Sequence, residues 1–208
     1  MASTASPYGF KAVNGLGGLP YAGSTRNIPI ASAYGTNIFY GSLVYVQSTG
    51  NLAIATSTGA DATTNGFPTG TANTGCVGVF VGCSYTNPST KQKVFAQTWP
   101  SGTVASDAVG IVVDDDRVVF QVQAAGSMTT ADVGANVYLS AVQSTSTGNT
   151  NTGNSTTAVN ATAVTTSAAF RVVGMVDMVG FSVSGDAYTD ILVKFNPGYH
   201  SYSSAVGL

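Results

Sequence analysis

Charged side chains are scarce in this sequence. They make up 8% of its 208 residues, against about 25% in an average soluble protein. Glutamate is absent, so the nine acidic residues are all aspartate. Surfaces of soluble helices usually carry Glu and Lys four residues apart, and this chain has almost no residues for such pairs. Gly, Ser, Thr and Val dominate instead, and because they favour turns and strands over helices, we predict a mainly β fold.

Side chains that perform catalysis are equally few. The single histidine, His200, lies in a predicted C-terminal tail, and no Ser-His-Asp or Cys-His set can be assigned around it. The one dense acidic run, Asp114–Asp116, lies between two predicted strands, where turn-forming aspartate explains it. The alternative is a calcium site, but three consecutive carboxylates lack the alternating spacing of a calcium loop. We therefore predict a protein that is not an enzyme and that uses no cofactor and no metal.

The two cysteines, Cys76 and Cys83, are seven residues apart. On one strand they would point to opposite faces, so they should not pair with each other. We predict buried, reduced thiols, as in a protein made in the host cytoplasm. The N-terminus lacks the apolar segment and the positive cluster of a signal peptide. No apolar run approaches the roughly 20 residues of a membrane helix, so no membrane partner is expected.

Positive charge is not concentrated anywhere along the sequence. The seven basic residues are spread out and the net charge is -2, so we predict no nucleic-acid partner. A free soluble protein usually keeps many surface charges for solubility. The low charge therefore predicts a protein that is buried within an assembly.

The stretch from Cys76 to Cys83 is the clearest strand. Because successive side chains of a strand alternate, one face should be branched and apolar and the other rich in glycine. The apolar face would hold Val77, Val79, Val81 and Cys83, and the other face Cys76, Gly78, Phe80 and Gly82. Glycine in a strand permits a close approach to the backbone, so we expect something to lie against the second face.

Two sequence echoes predict an internal duplication. Gly134–Leu139 repeats the pattern of Gly41–Val46, and Val172–Val176 repeats that of Cys76–Phe80. In both copies a long polar loop separates the two segments. We therefore predict a first β-unit over residues 31–125, and a second β-unit with a C-terminal tail over residues 126–208.

Residues 1–30 do not resemble a domain core, because they are too rich in glycine for a helix and too interrupted for a strand. They nevertheless carry the large apolar residues Tyr8, Phe10, Leu16, Leu19 and Tyr21, which a purely disordered tail would lack. Two interpretations stay open: an extended arm that becomes ordered against a partner, or a tail whose aromatic rings lean on its own domain.

Several segments resemble the decoration (cement) proteins of tailed-phage capsids. The matching order is Gly41–Val46, a Gly-Asn turn, a polar loop and the strand V-G-V-F-V-G at residues 77–82. The segments A-S-P-Y-G-F at 5–10 and S-A-Y-G-T-N-I-F-Y-G at 32–41 are similar to virion structural proteins of marine and cyanobacterial phages. The resemblance covers most of residues 5–125 and, more loosely, the second unit.

The resemblance implies small β-barrel, β-tulip-like or sandwich units, an N-terminal arm laid on the shell, and copies clustered on the capsid, with trimers favoured. We therefore predict a virion structural protein that binds the outer surface of a phage capsid and cements neighbouring major capsid subunits. Its partners would be the major capsid protein and further copies of itself. Deleting residues 1–25 should abolish capsid binding and leave the domain folded. The residues predicted to face the capsid are Tyr8, Phe10, Leu16, Leu19, Tyr21 and Arg26.

Two other functions stay open at this point. Residues 143–168 are nearly all Ser, Thr, Asn, Gly and Ala, which predicts a long exposed loop or a surface that projects toward another molecule. Trp99 could line a sugar-binding groove, although aromatic residues on strands are more often core. The alternatives are thus an outward-facing module, such as a head-fibre base or glycan-binding adhesin, and a tail or baseplate component.

Overall fold

The computed structural model describes residues 3–15, 18–55, 75–141, 143, 146–177 and 182–203. Within these ranges the chain forms eleven strands and one short 3-10 helix at Thr130–Asp132, so the prediction of a mainly β fold is confirmed. The strands are β1 (Lys11–Gly15), β2 (Arg26–Pro29), β3 (Leu43–Val46), β4 (Leu52–Ile54), β5 (Gly78–Thr86), β6 (Lys93–Ala96), β7 (Val109–Val113), β8 (Val118–Gln123), β9 (Asn136–Val137), β10 (Phe170–Met175) and β11 (Asp190–Phe195).

The strands form two antiparallel sheets. Sheet A has the order β1-β8-β11-β10-β9, and sheet B has the order β2-β7-β5-β3-β4, with β6 paired to the far end of β5. Sheet A therefore combines the second half of the chain with β1 and β8, both of which precede residue 126. The strand pairing divides the chain near residue 117, with β1 crossing back to the second unit.

The two sheets contain the same four-stranded arrangement. Strands β2, β3, β5 and β7, with β4 and β6 inserted between them in the sequence, lie in the order β2-β7-β5-β3. Strands β8, β9, β10 and β11 follow one another and lie in the order β8-β11-β10-β9. Such a match in connectivity is what the predicted internal duplication would produce.

Individual hydrogen bonds repeat between the two units. The Gly41 amide donates to the Phe80 carbonyl over 2.8 Å. In the same relative place, the Gly134 amide donates to the Val172 carbonyl over 2.9 Å. The glycines have φ values of 83° and 93°, in the left-handed region that glycine adopts at little cost. The echo between Gly41 and Gly134 therefore corresponds to one structural position in two copies.

The second sequence echo is displaced by four residues. The β5–β7 ladder has a register shift between Phe80 and Gly82, and the β10–β11 ladder has one between Val172 and Gly174. These bulges make Gly82 the counterpart of Gly174, whereas the sequence pattern had aligned Gly78 with it. A short run of valine and glycine matches itself in several registers, and only strand pairing selects one of them.

Neither sheet closes into a barrel within the described residues. A single parallel bridge joins Ile30 to Leu52 in the first unit, and its counterpart joins Ala124 to Val159 in the second. The sandwich-like architecture, rather than the barrel, is thus the one that the chain adopts.

The predicted division of β5 into an apolar and a glycine-rich face is wrong. Val77 and Cys83 pack into the core of the first unit, whereas Val79 and Val81 pack on the opposite side, in the core shared with the second unit. The alternation of side chains between the two faces is interrupted at two glycines, Gly78 and Gly82. At Gly78 an added Cβ would lie 2.0 Å from the Val113 carbonyl oxygen. The glycine-rich stretch therefore admits the chain's own neighbouring strand.

Both cysteine predictions are confirmed. Cys76 and Cys83 are free and buried, and they lie in different cores. The alternation of side chains is interrupted twice between the two cysteines, by one residue each time, and the two interruptions cancel. The thiols therefore still point to opposite sides of the strand. Burial raises the pKa of each thiol to about 12, which keeps them protonated.

The exposed loop that the composition predicted over residues 143–168 is present only in part: residues 149–152 and 165–167 are exposed, whereas Gln143, Ser155 and residues 157–159 are buried. Val159 is fully buried and bridges to Leu139, which gives it the place that Leu52 has in the first unit. Ser155 and Thr157 are buried beside it, with their hydroxyl oxygens 2.8 Å apart. Because these hydroxyls form hydrogen bonds within the protein, serine and threonine are buried here at little cost. A polar composition therefore does not show that a segment is exposed.

Candidate functional site

Phe10 lies in the core and not on the surface. It is fully buried, its ring stacks on Phe170 with centroids 4.9 Å apart, and its amide donates to the Gly41 carbonyl over 3.0 Å. The prediction that Phe10 faces a capsid is therefore not met in this structure. The second unit needs this ring to fill the space between its strands, a requirement that no local pattern shows.

The residues before Phe10 form a strap along the second unit. The Tyr8 hydroxyl donates to Asp190 over 2.7 Å, and the Ser6 amide donates to the Gln123 side-chain oxygen over 2.8 Å. Burial, with the neighbouring Asp190 carboxylate, raises the pKa of Tyr8, and burial also raises the pKa of Asp190. Of the two interpretations of the N-terminal segment, the described residues show the one in which aromatic rings lean on their own domain.

A small hairpin projects after β1. Strand β1 pairs with β8 at the edge of sheet A, and the chain then turns back so that the Gly15 amide donates to the Leu19 carbonyl over 2.7 Å. The side chain of Leu19 is 72% exposed. Leu16 lies outside the described residues. Leu19 thus keeps the exposed apolar character that was predicted for a contact residue.

Tyr21 and Arg26 both contact other parts of the same chain. Tyr21 packs, half-buried, against the shared core, and burial followed by the charge of Asp114 raises its pKa. The Arg26 guanidinium bonds to Asp114 over 2.9 Å and lies 4.8 Å from the centroid of the Tyr202 ring. Arg26 is therefore engaged within the chain, although about half of its side chain is exposed.

An apolar groove was not predicted; it lies on the side of sheet B that packs against the second unit, where Val81 borders the shared core. It has a volume of about 470 Å³ and is lined by Val81, Ile111 and Phe95, among others. Phe95 is 78% exposed, which makes it the most exposed large apolar residue described. The alternating pattern of Lys93–Ala96 could have predicted an exposed Phe95. Val94 and Ala96 point into the core, so Phe95 lies on the opposite side of the strand.

The polar residues with catalytic potential have structural surroundings. His200 is fully buried against Phe195, and burial lowers its pKa. Asp115 accepts a bond from the Arg117 amide over 2.8 Å, as expected of a turn-forming aspartate. Across the described ranges, no group of three His, Cys, Asp or Glu side chains lies close enough together to hold a metal ion.

Trp99 does not line a sugar-binding groove. It is fully buried, its ring contacts Tyr85 edge to face, and its indole nitrogen donates to the Tyr34 carbonyl over 3.3 Å. The adhesin hypothesis therefore loses one of the two features on which it was based.

Comparison with protein-family models, with curated proteins and with solved structures finds no match for this chain. In the part of the chain that the structure describes, no helix has the length and apolar character needed to cross a membrane. Surfaces exposed for contact with another molecule include the Leu19 hairpin and the Phe95 groove.

Proposed function

We propose that this protein is a virion structural protein that binds the outside of a phage capsid and fastens neighbouring major capsid subunits. The observation that carries the proposal is the presence of two exposed apolar side chains on different sheets of one fused body. Leu19 follows β1 in sheet A, and Phe95 lies on β6 in sheet B. A clamp must contact two neighbours at once, and separate contact points on one body suit that task.

The proposed mechanism is mechanical. Packaged DNA pushes capsid subunits apart, and a clamp that buries surface on two of them raises the free energy needed to separate them. A standard protein interface buries about 1,600 Å², and an icosahedral shell repeats each contact many times. The two units share one core, so strain between the contact points is carried through packed side chains.

The low charge of the chain supports the same proposal. With 8% charged residues, much of the surface lacks the charges that keep free proteins apart. Contact with the major capsid protein and with further copies of this chain would cover such a surface. A homo-oligomer on the capsid, with a trimer favoured, is part of the proposal.

The test is co-sedimentation with purified capsids from which the protein has been removed. We expect the native protein to pellet with capsids and the variants Leu19→Asp and Phe95→Asp to bind at least about tenfold more weakly, as expected for charges buried in an interface. Val104→Asp is the matched control, because Val104 is 61% exposed and belongs to neither contact. Absence of binding by the native protein, or equal binding by all variants, would refute the proposal.

A further inference from the structure

The duplication identifies one face that the two units use differently. In the first unit Val79 pairs with Val113, one ladder position before the bulge. In the second unit Arg171 pairs with Lys194, again one position before the bulge. The two valines and the two basic residues therefore occupy equivalent places in the repeated fold.

In the first unit this face is an interface. Val79 and Val113 are 0% and 1% exposed and pack in one cluster with Phe120 and Phe170 of the second unit. The face is thus where one β-unit docks on the next. In the second unit Arg171 is exposed and Lys194 is half-buried, and no described part of the chain covers the equivalent face as the second unit covers the first.

The charges on the second face are of one sign. Arg171 and Lys194 are directly opposite each other, an arrangement that destabilises an antiparallel pair. Lys11 lies on the same side, because it pairs with Gln121, which pairs in turn with Leu192. The ion pairs of the described residues, Arg26–Asp114 and Lys93–Asp107, involve none of these three cations.

Neighbouring side chains orient two of these cations, Arg171 and Lys11. The Arg171 Nε donates to the Asn136 side-chain oxygen over 3.2 Å, which orients the guanidinium. Lys11 lies over the Tyr8 ring, 4.3 Å from its centroid. Asp190, on the same strand as Lys194, accepts the Tyr8 hydroxyl, interacts electrostatically with Lys11 and is 2% exposed.

We propose that this basic face, formed by Lys11, Arg171 and Lys194, docks against a carboxylate-bearing surface of a partner protein. The proposal deepens the function given above and rests on it for the identity of that partner, the capsid. A protein surface fits better than a nucleic acid, since only three cations are present and the apolar residue Leu192 lies on the same side of the sheet, two positions from Lys194. Mixed apolar and arginine surfaces are typical of protein interfaces, whereas nucleic-acid affinity requires many phosphate contacts.

The experiment uses the full chain and a hexa-aspartate peptide as the carboxylate probe, followed by amide NMR shifts at low salt. We expect the largest shifts at the basic face and a dissociation constant that rises with salt. Lys194→Glu should weaken peptide binding by about 5- to 10-fold, because it replaces attraction by repulsion. The same variant should raise Tm by about 1–3 °C, because it turns a like-charged cross-strand pair into an opposite-charged one.

Lys91→Glu is the matched control, since it makes the same charge change on the exposed β5–β6 turn of the other sheet. Lys194→Gln provides a second, milder variant of the basic face. Shifts spread over all basic residues, equal weakening by Lys91→Glu, a lower Tm for Lys194→Glu, or tighter binding of hexathymidylate than of the peptide would each overturn the proposal. Because no capsid is used, failure here is distinct from failure of capsid binding.

Discussion

Replacing Phe10 by alanine tests whether the N-terminal segment belongs to the domain. The ring is fully buried and contacts Phe120 and Phe170, with centroids 6.4 Å and 4.9 Å away. Truncating a buried Phe costs about 3–5 kcal/mol, because transfer and cavity terms add. We therefore expect Phe10→Ala to lower the free energy of unfolding by that amount, although the residue is only ten positions from the start of the chain.

Urea denaturation followed by tryptophan fluorescence measures the effect, since Trp99 is the single tryptophan and is buried. With a urea m-value of about 2–3 kcal/mol/M, the midpoint should fall by about 1 to 2.5 M. Leu19→Ala is the control from the same segment, and its exposed side chain predicts a change within about 0.5 kcal/mol. A change that small for Phe10→Ala would refute the placement of residues 3–15 on the second unit.

Three further predictions follow from buried groups. Gly78→Ala should lower the free energy of unfolding by at least about 3 kcal/mol or prevent folding, because a backbone oxygen occupies the Cβ position. Gly35→Ala, whose Cβ would meet open space, should change stability little. Urea midpoints measure both effects. Burial lowers the pKa of His200 below its ordinary 6.5, so the unfolded chain binds the extra proton first, and stability should fall as pH drops below about 6.5. His200→Gln should flatten that slope in a pH series of thermal melts. Cys76 and Cys83 should resist a thiol reagent such as DTNB in the native state and react fully in denaturant, and rapid native labelling would contradict their burial.

The revised placement of the N-terminal segment changes how it can be studied. The sequence predicts that a chain lacking residues 1–25 stays folded, but that deletion removes the Phe10 ring and the edge strand β1. Loss of binding by such a truncated protein would report unfolding as readily as a lost contact. Point variants at exposed positions such as Leu19 separate the two causes.

Features that depend on local chemistry were predictable from the sequence. Scarce charge, absent glutamate and abundant valine, threonine and glycine indicated strands. The Gly41 and Gly134 echo indicated the duplication because a left-handed residue before a strand requires glycine in both copies. The spacing of Cys76 and Cys83 indicated opposite faces of one strand, and the structure places the two thiols in different cores.

Features that depend on distant residues were not predictable. An aromatic residue in a glycine-rich segment gives the same local sequence pattern whether it packs in a core or on a partner. The burial of Phe10 depends on residues more than a hundred positions away in the sequence. Strand register has the same limit, since the bulges before Gly82 and Gly174 become evident only from the paired strand. The polar run ending at Ala168 concealed buried hydroxyls for a similar reason.

The residues proposed to contact a partner were predictable from the sequence only in part. Phe95 was recoverable from alternation, because its neighbours Val94 and Ala96 fit an inward-facing pattern. The basic pair of Arg171 and Lys194 was not recoverable, since the residues are 23 positions apart in the sequence and become opposite only through the β10–β11 register. Scattered charge in a sequence can therefore form a patch of one sign on a sheet.

Cryo-electron microscopy of stripped capsids mixed with the native protein tests the central proposal most directly. The account predicts density at regular lattice positions on the outer surface, with each copy contacting at least two major capsid subunits through the Leu19 hairpin and the Phe95 groove. Bare capsids, or a copy that touches one subunit alone, would contradict the clamp.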